Sequence, residues 1–412
     1  MMKPTERRLT AIALVVCTAA LADRIRAQDL TQWRGPNRDG SVASFTEPAA
    51  WPDELVQRWK AEVGTGYATP LLVGDRIYLF SRIGGDEVMS ALDAATGKVL
   101  WQTRYTVSFT MHTATTRHNQ GPKSTPVYSN GRLYSIGMTG VITAYEAATG
   151  KQIWQKPGSE LVPMYTTHAF SPLVDGGLVY FHVGGHNQGA LTAFDVNTGA
   201  VKWSWNGDGP GYGSPIIADL LGTRQLITLT QAKLVGVDAA TGALLWEHPF
   251  PSTNFTNAAT PVLSGQTVVV SNGGPLVAVT VARRNNQWVA ERAWENAEVP
   301  FRLSNAVVVG DVVVGLSSRN AGQYFGVDVK SGRTLWTSEG RQAGNAAIAK
   351  AGTLVFSLED DGDLVVARSG RTAFEPVKRY KVAEGETWTQ PTISGKRIFV
   401  KDLSSLALWA VD

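Results

Sequence analysis

Alternating apolar and polar positions, as in Val88-Met89-Ser90-Ala91-Leu92, recur along the chain in short runs and predict β-strands. One string punctuates them. Ala91-Leu-Asp93-Ala-Ala-Thr96-Gly97-Lys-Val-Leu-Trp101 returns at residues 144–154 with Glu146 as the acid, and at 193–203 with Asp195. It returns again at 236–246 with Asp238, and at 326–336 with Asp328 and Ser331. Each copy predicts a hairpin. The acid accepts hydrogen bonds from N–H groups two or three residues on, and the glycine takes the positive φ that a bulged hairpin requires. The chain then returns as a strand carrying the tryptophan. An indole recurring once per unit, against a small Ala or Gly, predicts a spacer between adjacent sheets.

A second series marks where the units begin. Short strands open at Pro70, Pro126, Pro172, Pro215, Pro261 and Pro391, and Ala306 and Ala347 align with them by their downstream sequence. Proline cannot donate to a ladder, so each unit is expected to start with its edge strand. Four antiparallel strands per unit, repeated around a ring, predict an all-β fold, an eight-bladed β-propeller. Strand-closing aromatics fall at Trp59, Trp101, Trp154, Trp203, Trp246, Trp294 and Trp336, with Tyr380 in a weakened seventh unit. Residues 391–412 hold three strands with no Trp strand after them, and residues 55–63 hold a Trp strand with no unit before it. Pairing the two completes an eighth blade and removes the open edges.

The first residues read as an address. Lys3, Arg7 and Arg8 precede an apolar run at residues 9–21, and Ala20-Leu21-Ala22 offers a cleavage site, with Ala27 a later one. The expected organisation is a signal peptide at 1–22, an extension at 23–54 that Trp33 and Trp51 dock on the ring, and the propeller at 55–412. The protein is therefore expected to be exported, periplasmic or secreted. No second apolar stretch of bilayer length follows, so no transmembrane segment is expected. Val16 before Cys17, and the place of Cys17 inside the run, argue against a lipid anchor. The single cysteine excludes a disulfide framework or a Cys-rich metal site. A net charge of +3 over 412 residues leaves a nearly neutral body, which excludes nucleic acid as a partner. A monomeric ring is expected.

The repeated string resembles the tryptophan-docking motif of the quinoprotein alcohol dehydrogenase-like propellers, over about residues 55–412. That superfamily includes pyrroloquinoline quinone (PQQ) dehydrogenases and the BamB-type propellers of outer-membrane β-barrel assembly. Trp33-Arg34-Gly35-Pro36-Asn37-Arg38-Asp39-Gly40 and Gly121-Pro122-Lys123-Ser124-Thr125-Pro126 resemble exported PQQ-like repeat proteins. The resemblance implies one of two functions, because fold and activity are separable. One is a binding or scaffolding module for a protein segment or small ligand, BamB-like in envelope protein assembly. The alternative is a PQQ-dependent alcohol or sugar dehydrogenase, with PQQ and calcium over the axis of the ring. Those enzymes use Glu, Asn and Asp on the calcium, a catalytic Asp and often a vicinal Cys pair. No segment here matches these motifs, so no catalytic residue and no cofactor is assigned and the scaffold is the expected reading.

Five of the six histidines, His112, His118, His168, His182 and His186, fall close together in sequence. Antiparallel strand order sends the blade-to-blade links and the middle hairpins to one face. His112, Arg117, His118, Lys123, His168, His186 and Asn187 are thus expected to gather there as a ligand or partner site. Imidazole suits zinc, copper or nickel, but the two glycines in His182-Val-Gly-Gly-His186 argue against a helix that would aim both rings together, and no metal is assigned. Glu359-Asp360-Asp361-Gly362-Asp363 is expected to be a hairpin turn, since Asp-Gly is a strong hairpin signal. Asn206-Gly207-Asp208-Gly209-Pro210-Gly211 is expected to be a blade-to-blade turn.

Overall fold

A computed structural model describes residues 29–412, apart from 43, 116–119, 159–166 and 253–256. Its strands form eight four-stranded antiparallel sheets. Blade 1 takes Leu71–Val73, Arg76–Ile83, Asp86–Asp93 and Val99–Thr106 in chain order, and blades 2 to 7 repeat the scheme. Blade 8 joins the two ends of the chain. Thr392–Ser394, Arg397–Lys401 and Ser405–Ala410 are completed by Val56–Glu62, which runs antiparallel with Val56 opposite Ala410 and Glu62 opposite Ser405. The expected ring closure is what the chain adopts. No helix of the described residues is long and apolar enough to cross a membrane.

The repeated string works at two levels. Within a blade, the Asp93 carboxylate accepts from the N–H groups of Ala95 (3.2 Å) and Thr96 (2.8 Å), and Gly97 sits at φ 71°. A register shift follows at Ala91/Leu92, leaving Ala91 directly opposite Trp101. Gly236 faces Trp246 in the same way, so the small residue makes room for the ring. Between blades, Trp59, Trp101, Trp154, Trp203 and Trp294 each lie on the glycine of the next turn. A Cβ on Gly150 would stand 2.4 Å from the Trp101 ring, and the Trp101 N–H donates to the Ala147 carbonyl at 3.1 Å. Trp203 docks likewise on Gly242 and donates to Ala239 at 3.1 Å. Replacing Trp203, a buried ring, by Ala should cost about 3–5 kcal/mol in urea unfolding.

Three positions depart from the series, among them Trp336, which donates to the Gly370 carbonyl at 2.8 Å without resting on that glycine. Trp246 donates instead to the Gln225 side chain of its own blade, at 2.7 Å. The next blade turns at Asn285-Asn286 between Leu276–Arg284 and Gln287–Asn296, and so lacks the Asp-x-x-Thr-Gly seat. In blade 7 the docking position belongs to Lys378, not Tyr380. The bulge at Val366/Ala367 sets Val366 opposite Lys378, as Ala91 is set opposite Trp101. Tyr380 lies two residues further on and donates its hydroxyl to the Pro52 carbonyl at 2.9 Å.

The first strand of each blade is the inner edge, and the Ser or Thr before its proline stitches the blades around the axis. The Thr69 N–H donates to Thr125 Oγ1, Thr125 to Ser171 Oγ and Ser171 to Ser214 Oγ, each at 3.0 Å. The Gln390 N–H returns to Thr69 Oγ1 at 3.2 Å.

Antiparallel order gives the ring two unlike faces. The link face carries the blade-to-blade links and the middle hairpins. The turn face carries the first hairpins and the Asp-x-x-Thr-Gly turns. The extension crosses the turn face: Leu30 bridges Leu72 of blade 1, Ser41 bridges Lys350 of blade 7, and Phe45 bridges Gly395 of blade 8. Between these anchors Arg34 and Arg38 enter the interior, with 1% and 2% of their surface exposed. Arg38 donates to the carbonyls of Ser171, Pro172 and Pro215, and Arg34 to that of Ala306. Trp33 Nε1–H reaches Thr260 Oγ1 at 2.9 Å. Residues 33–38 therefore plug the axis from the turn face, and the chain then runs outward to blade 7, where Pro52 accepts from Tyr380.

Candidate functional site

The link face is where the expected site residues belong, and the structure separates them into three groups. Arg117 and His118 lie outside the described residues. His112 is exposed, and its carbonyl accepts from the Thr115 N–H and hydroxyl as the link enters a short helical turn at Thr113–Thr115.

The first group spans blades 8, 1 and 2. Lys123 Nζ sits 3.6 Å from the centroid of the Tyr67 ring, and Tyr67 stacks on Trp388 with centroids 5.7 Å apart. Burial pulls the Lys123 ammonium down to about 7, and Lys401 close by adds to the shift. Lys401 is itself buried and drawn down to about 8 by burial, while Asp402 and Glu62 oppose the shift. It donates to the carbonyls of Asp402 and Leu403. A cation on an aromatic pair, partly removed from water, is a surface that favours flat or anionic groups. Tyr67, Trp388 and Lys401 escaped the sequence reading. The usable signal was Trp388, an indole that falls in a link instead of an outermost strand.

The second group is interior. His168 is not a surface residue but is buried at 1% exposure, and His182 is fully buried beside it. Burial is the main cause that takes His168 to about 3 and His182 to about 4. His182 Nε2–H donates to the Asp208 carbonyl at 3.2 Å, leaving Nδ1 as the unprotonated nitrogen with no partner among the described residues. The His182 carbonyl lies beside the His168 ring, but neither ring nitrogen of His168 makes a well-aligned hydrogen bond among the described residues.

The third group joins blades 3 and 4. Asn187 takes φ 64° at the hairpin between Leu178–Gly185 and Gln188–Asp195. Its N–H donates to Gln231 Oε1 at 2.7 Å, and Gln231 Nε2 donates back to Asn187 Oδ1 at 2.8 Å. His186 is half-buried, with its ring edge-on to Tyr212 at 5.9 Å, and burial lowers its pKa. Beside Asn187 opens a cavity of about 840 Å³ between blades 2 and 3, with Lys156, Phe194 and Asp208 among its walls. Among the described residues, His168 adjoins His182, and Asp208 lies near both His182 and His186.

One acidic trio, Glu359, Asp361 and Asp363, brings its carboxylate oxygens within 4.8 Å of one another among the described residues. These residues form the expected hairpin turn between Leu354–Glu359 and Asp363–Ser369. Arg379 pairs with Glu359 and Asp363, and Lys381 with Asp363. A trio whose Glu359 and Asp363 are already paired with Arg379 and Lys381 does not fit a calcium-held quinone.

The model of the family described as outer membrane protein assembly factor BamB matches residues 84–338 and 220–412. The chain belongs to this family. A BamB of Burkholderia pseudomallei is 25% identical to this BamB-family propeller over 351 residues, covering 75% of the chain and 87% of that relative. The quinone alcohol dehydrogenase subunit of Komagataeibacter europaeus is 33% identical over 146 residues, which cover 33% of the chain and only 19% of that protein. The crystal structure of BamB from Moraxella catarrhalis shares the fold, with a TM-score of 0.62 at 16% identity, covering 86% of this chain and 97% of that one.

Proposed function

We propose that the protein is an exported scaffold of the BamB type, which holds a protein segment against its link face during envelope protein assembly. One observation carries this reading. The similarity runs through 87% of a BamB, whereas it reaches 19% of a quinone alcohol dehydrogenase subunit. The Tyr67–Trp388 stack with Lys123, the exposed His112 and Asn187, and His186 supply an aromatic and polar surface of the kind that interface centres use. Arg117 and His118 extend the candidate set in sequence. His168 acts from beneath, as a packing residue of blade 3.

The test is co-purification from the solubilised envelope of the host. The wild type is expected to bring with it an outer-membrane β-barrel assembly protein, identified by mass spectrometry. Trp388→Ala combined with His112→Ala and Asn187→Gly should reduce that recovery by roughly tenfold, with a cooperative melting transition as the folding control. Unchanged recovery from a folded variant would reject the link face as the binding surface. The dehydrogenase alternative is tested on the same preparation. With PQQ and calcium added, no dye reduction is expected with alcohols or aldoses, and sustained turnover would overturn the scaffold reading.

A further inference from the structure

The cavity of about 840 Å³ between blades 2 and 3 lies within the size range of small-molecule sites. Lys156, the last residue of the outermost strand Gln152–Lys156, forms part of its wall. Its place in the repeat sets it apart. It stands two residues beyond the docking position, and no other blade carries a lysine there. In blades 1 and 5 this position ties one blade to the next. Thr103 Oγ1–H donates to the Gly150 carbonyl at 2.6 Å, and Asn296 Nδ2–H to that of Gly332 at 2.7 Å. The Lys156 stem crosses the equivalent Gly199, with Cε 3.1 Å from where a Cβ on that glycine would stand. Yet this half-buried lysine has neither a hydrogen bond from its ammonium nor an ion pair among the described residues. It does not stitch blades as its counterparts do, and it gives the cavity wall an unpaired cation.

The opposite wall supplies donors as well. Asn206, Gly207 and Asp208, in the link that leaves blade 3, line the cavity. None of their backbone N–H groups has an acceptor among the described residues. The side-chain amides of Gln188 and Asn206, both exposed residues of the lining, are likewise without partners there. One acid lines the cavity, and it is already engaged. Asp208 accepts from the Gly209 N–H at 2.9 Å, and from the Thr230 hydroxyl and the Ala232 N–H of blade 4. Its carboxylate is thus held towards blade 4, on the far side of blade 3 from Lys156. Unused N–H groups around a lone cation favour an anion. Below the donors the walls are apolar. Ile142 and Val183 flank the cavity, and Phe194 reaches it near the far end of the strand Gln188–Asp195. The cavity therefore runs from a polar mouth at the link face to an aromatic floor.

We propose that this cavity binds a small amphiphilic carboxylate. Its anionic head lies against Lys156 and the link at 206–208, and its apolar body rests on Phe194. A dianion such as a phosphate ester suits the site less well. One ammonium balances one negative charge, and the Asp208 carboxylate behind the link repels a second. The assignment does not rest on the scaffold reading, because it invokes no partner protein.

Isothermal titration of the exported form tests it, with 4-phenylbutyrate as the probe and the uncharged 4-phenyl-1-butanol as its control. Wild type is expected to bind the acid saturably, at one site, and roughly tenfold more tightly than the alcohol, since a hydrogen-bonded charge pair distinguishes them. Lys156→Gln should weaken the acid by roughly tenfold and leave the alcohol unchanged. Lys156→Arg, which keeps the cation, should restore most of the affinity. Lys202→Gln, which removes an exposed lysine that does not line the cavity, should change nothing. A cooperative melting transition is the folding control for each variant. No saturable binding by wild type would overturn the proposal. So would equal affinity for acid and alcohol, or an acid affinity that Lys156→Gln leaves unchanged. Loss of both probes alike in Lys156→Gln would also overturn it, by making the lysine a support of the wall and not a ligand to the anion. Co-purification of a partner can succeed or fail whatever these titrations return.

Discussion

Arg38→Ala is expected to destabilise the protein by about 3–5 kcal/mol, although Arg38 belongs to an extension that forms no blade. The guanidinium donates to the carbonyls of Ser171 and Pro215 at 3.0 and 2.9 Å, to that of Pro172, and through Nε to Gln32 Oε1 at 3.0 Å. Burial draws Arg38 down to about 9, so it stays charged at neutral pH, and its charge is spread over carbonyl dipoles. Removing it strands three carbonyl oxygens in the interior, each at a cost of about 1–3 kcal/mol, and opens a void. Relaxation recovers part of the loss, which places the net effect in the stated range. Arg38→Lys should rescue little. An ammonium lacks the planar fork that serves three acceptors and is more costly to bury. Urea unfolding followed by tryptophan fluorescence measures the change. A loss under about 1 kcal/mol would mean that the extension is an accessory and not part of the ring's core.

Contacts within a blade were legible in the sequence, and contacts across the ring were not. The Asp93 turn, the Ala91–Trp101 pair and the ring closure by Trp59 all follow from spacings that repeat. The Ser and Thr residues before the prolines repeat as well, but their part in stitching blades depends on an axis that no single unit contains. Arg38 reaches Ser171 across 133 positions, and no period announces such a contact. Tyr380 misled because its aromatic ring outweighed the position of Lys378, which is the residue set opposite Val366 at the bulge. The candidate site was legible as a face but not in depth. His168 and His186 occupy superficially similar loops, yet only packing from neighbouring links decides that His168 is sealed and His186 half-open. Trp388 was visible as an indole out of series, and its stack on Tyr67 required the eighth blade to be in place.

The sealed histidines predict acid sensitivity. Both are held neutral, with burial the largest cause, at about 3 for His168 and about 4 for His182. An unfolded histidine titrates near 6.5. Between those values the unfolded chain binds protons that the native chain refuses, so the stabilisation is full above pH 6.5 and is lost as the pH falls towards the folded values. From pH 7.5 to pH 5 each imidazole should withdraw about 2 kcal/mol. The nearby Asp208 opposes the shift of His182 without cancelling it, since its carboxylate is engaged by Thr230 Oγ1–H and the Ala232 N–H. Burial also raises Glu87 and Glu359, which gain protons more readily in the native state and offset part of the acid loss. Replacing both histidines by leucine isolates the imidazole contribution, because the carboxylates remain. The double variant should lose about 4 kcal/mol less than wild type over the same pH interval, read from urea midpoints at each pH. Its stability at pH 7.5 should be lower by about 1 kcal/mol, for the hydrogen bond from His182 to Asp208. Parallel pH profiles for the two proteins would show that the rings take up protons in the native state, and that the interior of blade 3 is open to water.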